Sequence, residues 1–184
     1  MAFPLFDLSQ YKDILKTLAV PNEYHENTWD LDLEQLKDKG FNAIVLDVDS
    51  TILSNFQRRL SLQHLNWIQK CKDTGFSVYI LSNNKSRKRI KLVCEEINSH
   101  GYFLAFKPFP YTLHRLKKEY NFSYKQTIII GDQILKDVFL ANWVRAYSVL
   151  VKPLDKPINI IDRLQRQLEH YLIKRFSINI SSQD

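Results

Sequence analysis

Four aspartates of this sequence are placed where they could share a divalent metal ion. They form two groups, Asp47 with Asp49 and Asp132 with Asp137, and each group follows an apolar, β-branched segment. Residues two apart in a β-strand point to the same face, so Asp47 and Asp49 would present like charges together. A hard cation with oxygen ligands, such as Mg²⁺, would relieve that repulsion. An Asp-x-Asp pair alone is also common in loops that bind no metal, so the surrounding elements have to decide.

Three further polar residues could bind an anion beside these carboxylates. Ser82 and Asn83 end one apolar segment, and Lys107 follows another. Taken singly, a serine before a helix is commonly an N-cap and a lysine is commonly a solvated surface charge. Only a position close to the four aspartates would give these residues a chemical role.

The pattern of apolar segments predicts how these residues are brought together. Segments rich in β-branched and aromatic residues precede helical patterns, and they span residues 43–48, 77–82, 103–106, 127–130 and 146–151. Nearly continuous apolar strands that alternate with helices are typical of a parallel sheet covered on both faces. The predicted fold is therefore α/β, a Rossmann-like doubly wound parallel sheet. Such sheets bind ligands at the carboxyl ends of their strands, where the candidate residues would lie.

An N-terminal extension, residues 1–40, precedes the predicted core, residues 41–152. It combines a helix over residues 5–19, a loop over residues 21–29, and a short helix. The short helix is predicted to begin at Asp32, with Gln35 as a capping-box partner, and to end at Gly40.

A C-terminal helix is predicted over residues 157–176 and has two contrasting stripes. We expect the apolar stripe to dock on the rest of the protein; it consists of Ile161, Leu164, Leu168 and Leu172. The opposite stripe is basic and would face solvent; it consists of Arg163, Arg166, His170 and Lys174. Because no linker or change of composition divides the chain, we predict one domain over residues 1–184.

The overall composition limits the classes to which the protein can belong. Of its 184 residues, 45% are hydrophobic and 25% are charged, which is typical of globular proteins. No apolar run is long enough to span a bilayer and no secretory pattern is present, so we expect a cytoplasmic protein. The net charge of +6 favours an anionic partner, such as a phosphate compound or an anionic membrane surface. Cys71 and Cys94 lack metal-ligand spacing and are predicted to be buried thiols.

The order of these motifs resembles the four-motif signature of the haloacid dehalogenase superfamily of phosphotransferases. The matching residues are Asp47-x-Asp49-x-Thr51, Ser82, Lys107, and Gly131-Asp132 with Asp137. A closer resemblance, to the YqeG-type and phosphatidylglycerophosphate phosphatases of subfamily IIIA, is carried by residues 81–84, 107–108 and 131–133. Ser50 departs from this subgroup, which usually has asparagine at that position.

This resemblance implies a magnesium-dependent phosphatase with a haloacid dehalogenase-like fold and no cap domain. Asp47 would be the nucleophile and Asp49 the general acid and base. Ser82, Asn83 and Lys107 would bind the phosphoryl group, and Lys107 would also neutralise charge that develops in the transition state.

The resemblance also implies how Mg²⁺ would be bound. Asp47, Asp132 and the main-chain carbonyl of Asp49 would be ligands. Asp137 would either complete the site, directly or through a metal-bound water, or orient Lys107. Both roles of Asp137 stay open at the level of the sequence.

The predicted strands and helices leave no room for a cap between the motifs, so the substrate would be held in an open site. An open site suits a substrate presented by a larger body, and we expect phosphatidylglycerophosphate in a membrane. The basic run Lys85, Arg87, Lys88, Arg89 and Lys91 either crowds positive charge near the site or forms an ordinary solvated helix face. Phosphorylated nucleic-acid ends and soluble phosphometabolites are alternative substrates, with nucleic acid less favoured. A non-catalytic binding or scaffold protein is the alternative of another class, and the oligomeric state is left open.

Overall fold

The computed structural model describes residues 8–157 and 160–175. Its strands are β1 (Glu23–His25), β2 (Ala43–Leu46), β3 (Ser77–Leu81), β4 (His100–Tyr102), β5 (Thr127–Gly131) and β6 (Tyr147–Val151). They form a six-stranded sheet in the order β1-β6-β5-β2-β3-β4, with every pair parallel. From β2 the chain winds outward through β3 and β4, and later through β5 and β6 on the other side. This arrangement confirms the predicted α/β, doubly wound parallel sheet.

Helices cover both faces of the sheet. They are α1 (Leu8–Ala19), α2 (Leu33–Asp38), α3 (Leu62–Asp73), α4 (Arg87–Glu96), α5 (Tyr111–Tyr120), α6 (Phe139–Val144) and α7 (Ile160–Arg175). A π-helical turn, Ile134–Val138, leads directly into α6. The segments between the strands of residues 43–151 contain these helices and loops, and within this described part of the chain no cap domain is inserted.

Alternate residues of β2 pack into two separate cores. Ile44 and Leu46 belong to a core shared with α2, α3 and α4. Ala43 and Val45 belong to a core shared with α5 and α6 on the opposite face. This burial on both faces explains why the strand is a continuous apolar run in the sequence.

The two cysteines lie on the α3 and α4 side of the sheet. Cys71 is buried, as predicted, and Cys94 is partly buried. Burial raises the pKa of Cys71 to about 12 and that of Cys94 to about 11. Both side chains are therefore neutral, packed thiols near neutral pH.

The strand predicted over residues 103–106 is wrong, because the edge strand β4 ends before it. Leu104 and Phe106 have φ angles of 47° and 57°, which do not fit an extended strand. Instead, Ala105 N donates to the main-chain oxygen of Ser82 at 2.9 Å. The segment is therefore a loop folded across the carboxyl end of β3, and this loop leads into Lys107.

The N-terminal extension contains a strand that the sequence did not predict. The loop expected over residues 21–29 includes β1, which pairs with β6 and forms one edge of the sheet. Its residues, Glu-Tyr-His, are all half-buried, so the strand has no apolar signature. The short helix begins and ends as predicted: the Asp32 carboxylate accepts from Gln35 N at 3.0 Å, and Gly40 follows the helix with φ 88°. The Gln35 side chain, the predicted capping-box partner, accepts instead from Lys39 Nζ at 2.6 Å. The helix expected over residues 5–19 is α1, and residues 5–7 lie outside the described part.

The predicted docking stripe of the C-terminal helix is wrong for Leu164 and Leu168 and correct for Leu172. Leu164 and Leu168 are 61% and 47% exposed, whereas Glu169 is 4% exposed. A Glu169 carboxylate oxygen accepts from Leu135 N at 3.4 Å, and Leu172 packs against the apolar cluster that includes Leu150. The helix therefore docks through the face that carries Glu169 and Leu172, and it leaves much of the leucine stripe in solvent.

The basic stripe of the same helix is only partly described. Arg163 and Lys174 are exposed, as predicted. The side chains of Ile161, Arg166 and His170 lie outside the described residues. Across the described residues, none of the helices combines the length and the apolar character that crossing a membrane requires.

Candidate active site

The predicted site residues converge at the carboxyl edge of the sheet. The ends of β2, β3 and β5 and the loop after β4 surround a cavity of about 210 Å³. Six of the seven predicted residues line it: Asp47, Asp49, Ser82, Asn83, Lys107 and Asp137. Asp132, the seventh, is 2% exposed and lies beneath the cavity beside Asp47. The fold therefore brings together polar groups that the sequence places in four separate segments.

Lys107 joins two of the aspartates. Its Nζ atom donates to Asp47 Oδ1 and to Asp137 Oδ1, both at 2.6 Å. The lysine side chain is 2% exposed. Burial alone would lower the pKa of Lys107, but the attraction of Asp137 and Asp47 outweighs it and raises the pKa above its ordinary value. The ammonium is therefore a permanent positive charge in this site.

Asp137 responds to the same surroundings in the opposite way. Burial raises its pKa to about 6, repulsion by Asp47 adds to the rise, and attraction to Lys107 opposes it. A main-chain donor also holds the side chain, since Gln133 N donates to Asp137 Oδ2 at 3.2 Å. Gly131 makes room for this carboxylate, because a Cβ atom there would lie 2.2 Å from the Asp137 Cγ atom.

Three buried carboxylates could hold a metal ion. Among the described residues, oxygen atoms of Asp47, Asp132 and Asp137 lie within 4.8 Å of one another. Three carboxylates face one buried ammonium, that of Lys107, so a divalent cation would suit both the oxygen donors and the charge. The Asp49 carboxylate is not part of this cluster, and only its main-chain carbonyl could take the ligand role that the resemblance implies.

Thr51 links two members of the metal cluster. Its hydroxyl oxygen lies 3.0 Å from Asp47 Oδ2 and 3.3 Å from Asp132 Oδ1, and it is a donor to both. The positive φ of Ser50, 62°, turns the chain between Asp49 and Thr51. The Asp49 side chain lies outside the metal cluster, whereas the Thr51 hydroxyl contacts two of its carboxylates. In the sequence, Thr51 was indicated only as the last residue of the Asp47-x-Asp49-x-Thr51 motif.

The polar residues after β3 hold other groups in place. Ser82 is 1% exposed, and its Oγ atom accepts from Asn84 N at 3.0 Å, as in an ordinary turn or cap. The amide group of Asn83 bonds to the main chain of Lys107: Asn83 Oδ1 accepts from Lys107 N at 2.7 Å and Nδ2 donates to Lys107 O at 3.0 Å. Asn83 thereby fixes the position at which the lysine enters the cavity.

Asp49 is held by two residues that sequence reasoning did not select. Arg89 Nε donates to Asp49 Oδ1 at 2.9 Å, and Asn84 Nδ2 donates to Asp49 Oδ2 at 2.7 Å. The basic run that contains Arg89 therefore divides in the structure. Lys85, Arg87 and Lys88 are exposed, Lys91 pairs with Glu95 at 3.4 Å, and Arg89 turns inward to the site.

The segment after Asp49 is fixed by a further residue that the sequence did not indicate, Asp155. Its carboxylate accepts from Ser50 Oγ at 3.0 Å, Ser54 Oγ at 2.7 Å and Asn55 N at 2.7 Å. Burial alone would raise the pKa of Asp155, but these hydrogen bonds, led by that from Asn55 N, outweigh it and lower the pKa. Asp155 follows β6, so no local sequence pattern connects it with this loop.

Comparisons with known proteins agree with this fold. No protein-family model matches the chain. One solved structure, of an uncharacterized protein from Listeria monocytogenes, is similar to this chain with a TM-score of 0.51 and 14% identity. The match covers 75% of this chain and all of the Listeria protein. The cobalt-bound deoxy-D-mannose-octulosonate 8-phosphate phosphatase of Haemophilus influenzae matches over 80% of this chain and 92% of its own, with a TM-score of 0.50 and 13% identity. These likenesses concern the fold alone.

Two relatives are similar in sequence. "Probable phosphatase YqeG" of Bacillus subtilis is 28% identical over 160 residues, which are 87% of this chain and 92% of that protein. "Phosphatidylglycerophosphate phosphatase 1, chloroplastic/mitochondrial" of Arabidopsis thaliana is 26% identical over 155 residues, which are 79% of this chain but 44% of the plant protein. The similarity to YqeG confirms the resemblance to YqeG-type proteins that the motifs predicted.

Proposed function

We propose that the protein is a magnesium-dependent phosphomonoester hydrolase that works through an aspartyl-phosphate on Asp47. One observation carries this proposal. The Asp47 carboxylate lines an open cavity, has the buried Lys107 ammonium at 2.6 Å, and belongs to a cluster of carboxylates suited to a divalent cation. A carboxylate can attack phosphorus as a nucleophile without a general base.

The chemistry then has two steps. In the first, an Asp47 oxygen forms a bond to phosphorus, the bond to the leaving oxygen breaks, and Asp49 donates a proton to that oxygen. In the second, Asp49 accepts a proton from water, the water oxygen bonds to phosphorus, and the bond to Asp47 breaks. Asp49 lines the cavity 24% exposed, so it can reach both the departing group and the incoming water.

The remaining residues would bind charge. Asp47, Asp132 and Asp137, with the main-chain carbonyl of Asp49, would hold Mg²⁺, which when bound offsets the negative charge of the phosphoryl oxygens. Lys107 would neutralise further charge on those oxygens, and Ser82 would donate to one of them. Asn83 would support phosphate binding, since it anchors the backbone of Lys107. Asp137 would also orient the lysine, its second predicted role, since its Oδ1 atom accepts from Lys107 Nζ at 2.6 Å.

For the substrate, we infer phosphatidylglycerophosphate. The support is the name of the Arabidopsis relative and the open site, with no cap among the described residues 43–151. Phe106 and Phe109, which flank Lys107 in the chain, are 64% and 62% exposed and could meet lipid beside the cavity. The exposed apolar residues of α7 and the exposed Arg163 and Lys174 would add contacts to an anionic membrane surface.

The first test of this function is Asp47→Asn. The variant should lose more than about a thousandfold in turnover, because it removes the nucleophile, while its thermal midpoint holds or rises as carboxylate repulsion is relieved. Phosphate release from p-nitrophenyl phosphate in Mg²⁺ measures the loss, and Asp38→Asn, at an exposed carboxylate of α2, is the matched control. Retained turnover in the purified variant would defeat the proposed chemistry.

The substrate is tested separately. Phosphatidylglycerophosphate in anionic vesicles is compared with glycerol 3-phosphate, with nucleotides and with 5′-phosphorylated oligonucleotides. A clear preference for the vesicle-borne lipid supports the substrate proposal. A preference for oligonucleotides or for a soluble ester would identify those compounds as the substrates instead. If the protein hydrolyses none of these phosphate esters, it is a non-catalytic binding protein.

A further inference from the structure

Arg89 makes a set of contacts that an ordinary surface arginine does not make. Its Nε atom donates to Asp49 Oδ1 at 2.9 Å, Nη1 to the main-chain oxygen of Gln57 at 2.7 Å, and Nη2 to that of Ser54 at 2.9 Å. The planar guanidinium is thus fixed by two backbone carbonyls, and its remaining edge is directed at one carboxylate. The arginine side chain is 19% exposed, so solvent has limited access to these contacts.

The position of Arg89 in its helix explains how it reaches the cavity. Ser86 caps α4, with its Oγ atom accepting from Arg89 N at 3.2 Å, so Arg89 lies in the first turn. Side chains of a helix lean toward its N-terminus, which for α4 is the carboxyl edge of the sheet. A cation in a first turn is unfavourable with respect to the helix dipole. Helix stability therefore does not account for an arginine at this position, whereas its contacts with Asp49 and the loop do.

Asn84 completes the enclosure of Asp49. Its Nδ2 atom donates to Asp49 Oδ2 at 2.7 Å, while its Oδ1 atom accepts from Ser86 N at 2.7 Å. Each oxygen of Asp49 therefore has a donor of its own: Asn84 belongs to the loop between β3 and α4, and Arg89 to the first turn of α4. This leaves the carboxylate with one orientation at the rim of the cavity.

We propose that Arg89 is a positioning residue that holds Asp49 in the orientation needed for both proton transfers. The proposal rests on the proposed function, in which Asp49 is the general acid and base. A general acid or base has to lie within hydrogen-bond reach of the proton it transfers, and fixing it beforehand removes the cost of ordering it during the reaction. Lysine could not take this role, because one ammonium cannot present the planar fork that joins a carboxylate to two carbonyls.

The first experiment uses the difference between leaving groups. Loss of a positioned acid should slow an alkyl ester, whose leaving oxygen needs a proton, far more than an aryl ester, whose leaving oxygen departs without one. For Arg89→Gln we expect turnover of glycerol 3-phosphate to fall on the order of 100-fold. With p-nitrophenyl phosphate, the first equivalent of p-nitrophenolate should appear at close to the wild-type rate. A slow steady state should follow, because water activation by Asp49 is impaired.

The second experiment asks whether Arg89 acts through Asp49. Arg89→Gln is introduced into wild type and into Asp49→Asn, and steady-state turnover of p-nitrophenyl phosphate is measured in all four proteins. In the Asp49→Asn background the additional loss should be less than about twofold, because the group that Arg89 positions is already absent. Lys88→Gln, at the exposed neighbour in α4, is the control and should match wild type on both soluble esters.

The outcomes separate this proposal from its alternatives. Equal losses on both esters without a burst, or the same loss in the Asp49→Asn background, would show that Arg89 only supports the loop. Wild-type rates in Arg89→Gln would overturn the proposal outright. If Arg89→Gln does not fold, Arg89→Lys carries the same two experiments with the charge retained. A wild-type protein inactive on both esters and on vesicle-borne phosphatidylglycerophosphate would instead refute the proposed function, which is a different result.

Discussion

Asp47 and Asp49 are two residues apart, yet they lie in different surroundings. Asp47 is 8% exposed, belongs to a cluster of three carboxylates, and is paired with the buried ammonium of Lys107. Asp49 is 24% exposed at the cavity rim and is paired with the guanidinium of Arg89. The first region, which we call the Lys107 centre (Asp47, Lys107, Asp132 and Asp137), concentrates charge. The second, the Arg89 clamp (Asp49, Asn84 and Arg89), fixes the orientation of the Asp49 carboxylate.

The two cations suit these two tasks. An ammonium is a compact charge with freely rotating donors, and Lys107 uses it to contact two carboxylates at the same short distance. A guanidinium is a rigid plane, and Arg89 uses it to tie one carboxylate to the backbone of a loop. The comparison predicts that changes at the Lys107 centre alter stability and metal binding together with activity, whereas changes at the Arg89 clamp alter activity alone.

After Asp47→Asn, the largest effect is expected for Lys107→Gln. Turnover should fall on the order of a thousandfold, because transition-state charge is no longer neutralised. The free energy of unfolding without metal should fall by about 3 kcal/mol, because buried carboxylates lose their cation. Urea denaturation with and without Mg²⁺ measures the second effect, and Mg²⁺ should restore part of the loss. Lys70→Gln, at an exposed lysine of α3, is the control, and an unchanged unfolding midpoint in Lys107→Gln would break the comparison.

Asp132→Ala tests where the metal belongs. We expect the Mg²⁺ concentration for half-maximal activity to rise at least about tenfold, because one of the three carboxylate ligands is lost. Arg89→Gln should leave this concentration within about twofold of wild type. Calcium should inhibit both proteins, since its longer bonds and looser coordination spoil the in-line geometry. Activity that survives excess EDTA, or an Asp132→Ala protein with wild-type magnesium dependence, would contradict the assignment of a metal site to the Lys107 centre.

Asp137→Asn isolates the pH dependence of the same centre. The folded-state pKa of Asp137 is raised to about 6 from 3.8, so between these values the native protein binds more protons than the unfolded chain. Its contribution to stability is therefore present below about pH 4 and is lost as pH rises through 6. In EDTA, the thermal midpoint of Asp137→Asn relative to wild type should thus rise from pH 4.5 to pH 7. A difference that stays constant or falls would contradict this assignment.

The smallest effect is expected for Asp155→Ala, beside the Arg89 clamp. The loop after Asp49 loses several hydrogen bonds, so the free energy of unfolding should fall by about 1 kcal/mol and turnover by several-fold. The apparent affinity for Mg²⁺ should not change, because Asp155 contacts the loop and not the carboxylate cluster. A large loss of metal affinity in this variant would mean that the two regions are not separate.

The sequence by itself determined the core strands and the acids that follow them. Continuous apolar segments such as residues 127–130 are buried on both faces, which leaves a signal in the composition of each segment. Because parallel strands align their carboxyl ends, Asp47 and Asp132 could be placed together without knowledge of any contact. The same motifs were sufficient to predict the superfamily. Local patterns were not sufficient for β1, because its three residues, Glu-Tyr-His, form no apolar run.

Only the tertiary structure decided which side chains pair. Arg89 belongs to a basic run whose members look alike in the sequence, and its contact with Asp49 spans 40 positions of the chain. The hydrogen bond between Ser50 and Asp155 spans 105 positions. Glu169 is buried in place of Leu168 because of how α7 packs against the turn at Leu135. Periodicity specifies which residues share a face of one element. The partner that this face meets is set by the packing of elements distant in the chain, and no local pattern encodes it.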